Sequence, residues 1–139
     1  DRIREFKEIK KIILVYNVKH KKYLKKINLK NIKLIKGGTT RSQSTRNALN
    51  YFQNQKEIKK VLIHDAARPN FSKKLIRSIL INAKTNKVVV PVLKIQDALK
   101  QKYKKNIIAN LERNNFFTTQ TPQCFNLKEI FQLHKKKKK

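Results

Sequence analysis

Short β-branched runs alternate along the chain with stretches in which apolar residues recur about one helical turn apart. Residues 11–16 (Lys-Ile-Ile-Leu-Val-Tyr) predict a strand buried on both faces, and the lysine-rich 18–27 a surface helix. A second strand at 32–35 ends at Gly37 and Gly38, and 40–52 follows as a helix with a threonine start. A third strand is expected at 60–64, then a helix at 71–82 with Leu75, Ile76, Ile79 and Leu80 on one side, then a fourth strand at 88–92 that contains Pro91. This alternation predicts an α/β domain with a mostly parallel sheet flanked by helices. Residues 97–112 break the pattern and read either as a two-stranded arm around a Lys-Lys-Asn turn or as a short helix plus a strand. Residues 113–123 are polar, and 127–134 form a last amphipathic helix.

Composition sharpens this picture only slightly. The chain has 139 residues, about one domain, with 36 basic and 8 acidic side chains and a net charge of +28. Lysine, isoleucine and asparagine contribute 29, 16 and 14 residues. These are the amino acids with AT-rich codons, so a biased genome accounts for much of the charge. The lysines are scattered rather than gathered on one element, which argues against specific nucleic-acid binding, although a basic nucleic-acid-binding domain stays open as an alternative. The Lys135–Lys139 run reads as a solvated end. No stretch approaches the roughly 18 apolar residues of a membrane span, and no signal peptide opens the chain, so a soluble, unexported protein without a membrane partner is expected. Cys124 is the single cysteine, which excludes an intrachain disulfide and suits a reducing compartment. It has no neighbouring histidine to activate it and reads as a small packed side chain.

In such sheets ligands bind beyond the carboxyl ends of strands, and the informative residues lie there. Gly37-Gly38-Thr39-Thr40-Arg41-Ser42-Gln43-Ser44 joins a strand to a helix. The glycines permit close backbone approach, and N–H groups at a helix start can bind an anion or a base edge; an ordinary capped turn is the other reading. In Ile63-His64-Asp65-Ala66-Ala67-Arg68-Pro69, Asp65 emerges from a strand end where one carboxylate can hold Mg²⁺ beside substrate phosphates, and Arg68 can grip a phosphate through two bonds. An Asp65–Arg68 ion pair bracing a turn is the alternative there. His64 reads as a packed histidine. Arg113 and Thr121 form a third group, since only 7 arginines stand among the basic residues and lysine lacks the planar fork.

Taken in order, Gly37-Gly38-x-x-Arg41-x-x-Ser44, His64-Asp65-Ala66-Ala67-Arg68-Pro69, Arg113 and Gln120-Thr121-Pro122-Gln123-x-Phe125 resemble the 2-C-methyl-D-erythritol 4-phosphate cytidylyltransferases of the non-mevalonate isoprenoid pathway. The resemblance implies a Rossmann-like nucleotidyltransferase domain, Mg²⁺ or another divalent cation as cofactor, CTP and a polyol phosphate as substrates, and a bacterial, cytoplasmic homodimer. It also implies roles. Gly37, Gly38, Thr39, Arg41, Ser44, Asp65 and Ala66 would bind the nucleotide, Asp65 the metal, and Asp65, Arg68, Ala98, Arg113 and Thr121 the polyol phosphate, with Asp65, Arg68 and Arg113 serving catalysis. The 97–112 segment would be an arm that reaches across the dimer and brings Arg113 to the neighbouring site.

Some features depart from the family pattern. Thr39 stands where an acidic residue is common. Four residues separate Pro91-Val92 from Asp97-Ala98-Leu99-Lys100, and Ala98 lacks the expected hydroxyl. The chain opens with Asp1 and has no methionine, so it reads as an excerpt: residues 1–139 as one partial domain, without the family's glycine-rich loop and a later phosphate-binding lysine. On that reading the chain as given is inactive, and the complete protein is one half of a bifunctional chain or a free-standing enzyme. A ribitol 5-phosphate cytidylyltransferase shares several of these motifs and is the nearest alternative.

Overall fold

The β-branched run near the start forms strand β1 (Ile12–Tyr16), which pairs in parallel with β2 (Ile32–Lys36), Ile12 opposite Ile32 and Tyr16 opposite Lys36. The computed structural model describes residues 2–25 and 29–136. Every residue of β1 is half-buried rather than covered on both faces, because within the described residues only β2 pairs with it. The expected helix at 18–27 is a 3-10 turn (Val18–His20) capped by Asn17, followed by the four-residue helix α1 (Lys21–Leu24); Ile27 lies outside the described residues.

The strand at Lys60–Ile63 (β3) is followed by two short strands on either side of a proline, β4 (Val88–Val89) and β5 (Val92–Lys94). The expected single strand at 88–92 is thus interrupted. Pro91 has no N–H for a ladder, and its carbonyl instead accepts from the Gln120 N–H at 2.8 Å. Beyond the arm come β8 (Phe117–Thr119), which pairs with β5, and β9 (Gln123–Asn126), which lies between β3 and β4 and runs antiparallel to both. β3 and β4 therefore run in the same direction. The α/β class holds, with one late antiparallel strand inside the sheet.

The helices cover both faces. Helix α2 (Arg41–Phe52) starts at Thr40, whose hydroxyl accepts from the Gln43 N–H at 3.1 Å. It buries Leu49 and Phe52 with Leu127 from α4 (Leu127–Lys136), against Ile13 of β1 and Val61 of β3. Helix α3 (Lys73–Asn82), capped by Ser72, buries Ile79 against Cys124, Leu62 and Val89. Val61 and Leu62 are consecutive on β3, so the two clusters occupy opposite faces of the sheet. Cys124 is the packed side chain the sequence predicts, and burial pushes its thiol pKa up. Of the Lys135–Lys139 run, Lys135 and Lys136 end α4, and the last three residues lie outside the description.

The segment at 97–112 is the two-stranded arm. Strands β6 (Leu99–Tyr103) and β7 (Asn106–Leu111) pair antiparallel around Lys104 and Lys105, with Lys104 at φ 52° and an irregularity between Gln101 and Lys102. Tyr103, Ile107 and Ile108 are all more than half exposed on it. Among the described residues no helix is long and apolar enough to cross a membrane.

Candidate active site

The chain leaves β2 through Gly37, whose N–H donates to the Tyr16 carbonyl at 2.8 Å, and turns into α2. The turn is stitched by its own side chains. The Gly38 N–H donates to Ser44 Oγ at 3.1 Å, and both the N–H and the hydroxyl of Thr39 donate to Gln43 Oε1 at 2.9 Å. The Gly38 and Thr39 amides of the turn are therefore engaged, and a ligand reaches these two only by exchange with Ser44 and Gln43. Gln43 was not singled out by the sequence reading. Its signal was its place three residues after the capping Thr40, which turns it back over residue 39. A Cβ on Gly38 would overlap the Gln43 side chain, which gives this glycine a local reason.

Asp65 follows β3 and carries the densest set of contacts. Arg41 reaches it from the first turn of α2, with Nη2 at 2.9 Å and Nε at 3.2 Å from Oδ1. Arg68 places Nε at 3.8 Å from Oδ2, and its N–H donates to the Asp65 carbonyl at 2.9 Å, so the turn-bracing pair is present as well. A guanidinium N–H of Arg68 also donates to Gln120 Oε1. Thr121, buried at 8% exposure, puts its Oγ1 3.3 Å from the Asp65 nitrogen and 3.0 Å from His64 Nδ1. His64 is packed as expected, edge-on to Phe71 with ring centroids 4.9 Å apart, and burial holds its pKa below the ordinary imidazole value. Residues 24 and 56 positions from Asp65 thus meet at one strand end.

A cavity of about 1290 Å³ opens beside this junction, lined by β1 and β3 and bordered by Arg41, Ser44, Asp65, Ala66 and Arg68. Ala66 is exposed there, leaving backbone within reach of a ligand. Two candidates stand apart. Arg113 lies in a 3-10 turn after the arm and donates to the Gln96 carbonyl, and Ala98 is exposed at the root of β6. Neither has a recorded bond to the Asp65 group. Among the described residues no three acidic, histidine or cysteine side chains gather as a metal cage. The acidic side of the site is the single Asp65 carboxylate, with Oδ2 outside hydrogen-bond range of Arg68.

The chain as a whole is similar to known proteins. A bifunctional IspD/IspF enzyme of Pelagibacter ubique is 45% identical over 137 residues, covering 99% of this chain and 36% of the relative. A 2-C-methyl-D-erythritol 4-phosphate cytidylyltransferase of Clostridium beijerinckii is 38% identical, over 94% of this chain and 59% of the relative. Among solved structures, the 4-diphosphocytidyl-2C-methyl-D-erythritol synthase of Anaerococcus prevotii superposes with a TM-score of 0.86 at 31% identity, covering 98% of this chain and 61% of that one. The bifunctional IspDF of Campylobacter jejuni gives 0.77 at 27% identity, covering 96% and 33%. The chain thus spans between about a third and three fifths of the length of these proteins. The model of the 2-C-methyl-D-erythritol 4-phosphate cytidylyltransferase family matches residues 1–139, end to end, and with its turn, aspartate and threonine segments joined at one strand end this chain belongs to that family.

Proposed function

We propose that the protein to which these residues belong joins CTP to 2-C-methyl-D-erythritol 4-phosphate, giving CDP-methylerythritol and pyrophosphate. One observation carries the reading: Asp65 is bonded at once to the 37–44 turn through Arg41 and to the 120–121 segment through Thr121. A nucleotide held by the first and a sugar-alcohol phosphate held by the second would meet at this carboxylate. A phosphate oxygen of the methylerythritol phosphate attacks the α-phosphorus of CTP, the bond to the bridging oxygen breaks, and pyrophosphate leaves. Such transfer asks the protein for alignment and charge neutralisation rather than a covalent nucleophile.

On this reading the turn from Gly37 to Ser44 receives the cytosine, with Gly38, Thr39 and Ser44 nearest to it. Arg41 and Ala66 flank the nucleotide phosphates, and Arg68 and Thr121 hold the polyol phosphate. Asp65 fits a Mg²⁺ ion that keeps most of its ligands as water and substrate phosphate, since Mg²⁺ commonly takes only one or two protein carboxylates. When bound, that ion would supply neutralisation of the phosphate charge. Arg41 and Arg68 bring fixed positive charge to the same place, and Asp65 orients both. Ala98 and Arg113 border the polyol end, Arg113 in the site of a second copy. The enzyme works in the bacterial cytoplasm, where a lone cysteine stays reduced.

Gly38→Ala is expected to raise KM for CTP about fivefold, as the new methyl displaces Gln43 from Thr39. Steady-state kinetics with the polyol phosphate saturating reads this, and an unchanged KM would remove the turn from the nucleotide site. The arm carries the proposed homodimer through Ile107 and Ile108. Ile107→Lys should shift sedimentation velocity from dimer to monomer, and a wild type that sediments as a monomer would overturn the pairing.

The reaction itself is tested with protein made from the complete coding sequence. Pyrophosphate release should require CTP, Mg²⁺ and methylerythritol phosphate. Turnover with ribitol 5-phosphate alone would reassign the substrate. Absence of turnover with either, together with tight nucleic-acid binding that weakens steeply with salt, would replace the reading.

A further inference from the structure

Thr121 holds two bonds on one buried hydroxyl. Its Oγ1 takes the Asp65 N–H at 3.3 Å and sits 3.0 Å from His64 Nδ1. The His64 ring also packs edge-on against Phe71. The imidazole therefore reaches the start of the 65–68 turn through Thr121, and the Arg68 N–H closes that turn on the Asp65 carbonyl at 2.9 Å. Packing alone would be met by any flat ring at this place. The Nδ1 contact to a buried hydroxyl is the feature packing does not require.

We infer that His64 is a positioning residue, whose Nδ1 fixes the Thr121 hydroxyl and so sets the backbone of Asp65 and Arg68 against the polyol-phosphate site. This rests on the assignment of Asp65, Arg68 and Thr121 to that site. Without Nδ1, the buried Oγ1 keeps only its longer bond to the Asp65 N–H, and the turn is held to the segment carrying Gln120 and Thr121 by that bond and the Arg68–Gln120 contact alone. The carboxylate and guanidinium then keep their charges but lose their fixed bearing. Binding of the polyol phosphate suffers most, while the 37–44 turn keeps its own bonds through Gln43 and Ser44 and meets the 65–68 turn only through Arg41.

The test compares His64→Phe, which keeps the ring against Phe71 and lacks Nδ1, with His64→Asn, which returns a polar atom near the Nδ1 position. Both are made in the complete protein. His64→Phe is expected to speed hydrogen exchange of the Asp65 amide by about tenfold and to raise KM for methylerythritol phosphate by about tenfold, with KM for CTP changed less than about twofold. His64→Asn should recover most of both losses. Unchanged exchange in His64→Phe, equal losses for the two substrates, or no recovery in His64→Asn would overturn the assignment. If His64→Phe does not fold, His64→Gln, whose amide reaches the Nε2 rather than the Nδ1 position, takes its place with the same expectations. Should the wild type turn over neither polyol phosphate, the proposed reaction fails on its own. The tie is then judged by Asp65 amide exchange alone, which supports it if accelerated and refutes it if not.

Discussion

Asp65→Asn is expected to lower kcat/KM for cytidylyl transfer by on the order of 10³, with the fold intact. The substitution keeps the size and planar shape of the side chain but removes the charge that Arg41 approaches at 2.9 Å and Arg68 at 3.8 Å. It also removes the anionic oxygen available to a divalent cation. What it leaves is equally specific. The bonds through which residue 65 supports its turn are made by its N–H to Thr121 and by its carbonyl to the Arg68 N–H, and both belong to the main chain. The side chain is about one third exposed (35%), so little stability rests on its ion pairs. Pyrophosphate release measures the first effect, and a thermal midpoint within a few degrees of wild type the second. A variant that retained more than about a tenth of wild-type kcat/KM would take Asp65 out of the chemistry.

Leu49→Ala acts on the fold instead, with an expected loss of about 2–5 kcal/mol. Leu49 is 1% exposed and lies where α2, α4, β1 and β3 converge, among Phe52, Leu127, Ile13 and Val61. Removing its branched end opens a void that no single neighbour can fill, because those neighbours are fixed by four different elements. Domains of this size hold about 5–15 kcal/mol in total, so the loss is a large share. Denaturant unfolding of the complete protein should show an earlier midpoint at unchanged slope. A loss below about 1 kcal/mol would mean that the cluster collapses around the gap.

The sequence reading succeeds where one local rule acts alone. β1, β2, β3, α2 and α3 follow from apolar period, with the cap at Thr40 as expected, while α3 begins at Lys73 behind a Ser72 cap, two residues after its expected start. It falls short where pairing across the chain decides. β8 lies in the polar 113–123 stretch and β9 begins at its end; three and four residues long, they become strands only because β5, β3 and β4 supply partners. Pro91 stands inside the expected 88–92 strand, and its missing N–H separates β4 from β5. At the site, position after a strand was enough to single out Asp65 and the 37–44 turn. The Arg41–Asp65 pair was not legible, since nothing in local spacing links residues 24 apart. His64 reads as a packed histidine from its sequence, Gln43 carries no reading of its own, and the partners that matter for both are set by the fold.

The shared carboxylate has one more consequence. Two guanidinium groups from separate segments rest on Asp65 in the ligand-free chain, so an arriving phosphate meets cations that are already loaned to an internal anion. Loading is an ion swap, and since exposed pairs of this kind contribute only about 0–1 kcal/mol, the swap meets little resistance. On the proposed reaction, whichever substrate arrived first would loosen one guanidinium from the aspartate and leave its charge less compensated. The remaining guanidinium would then be held more firmly before the second substrate came.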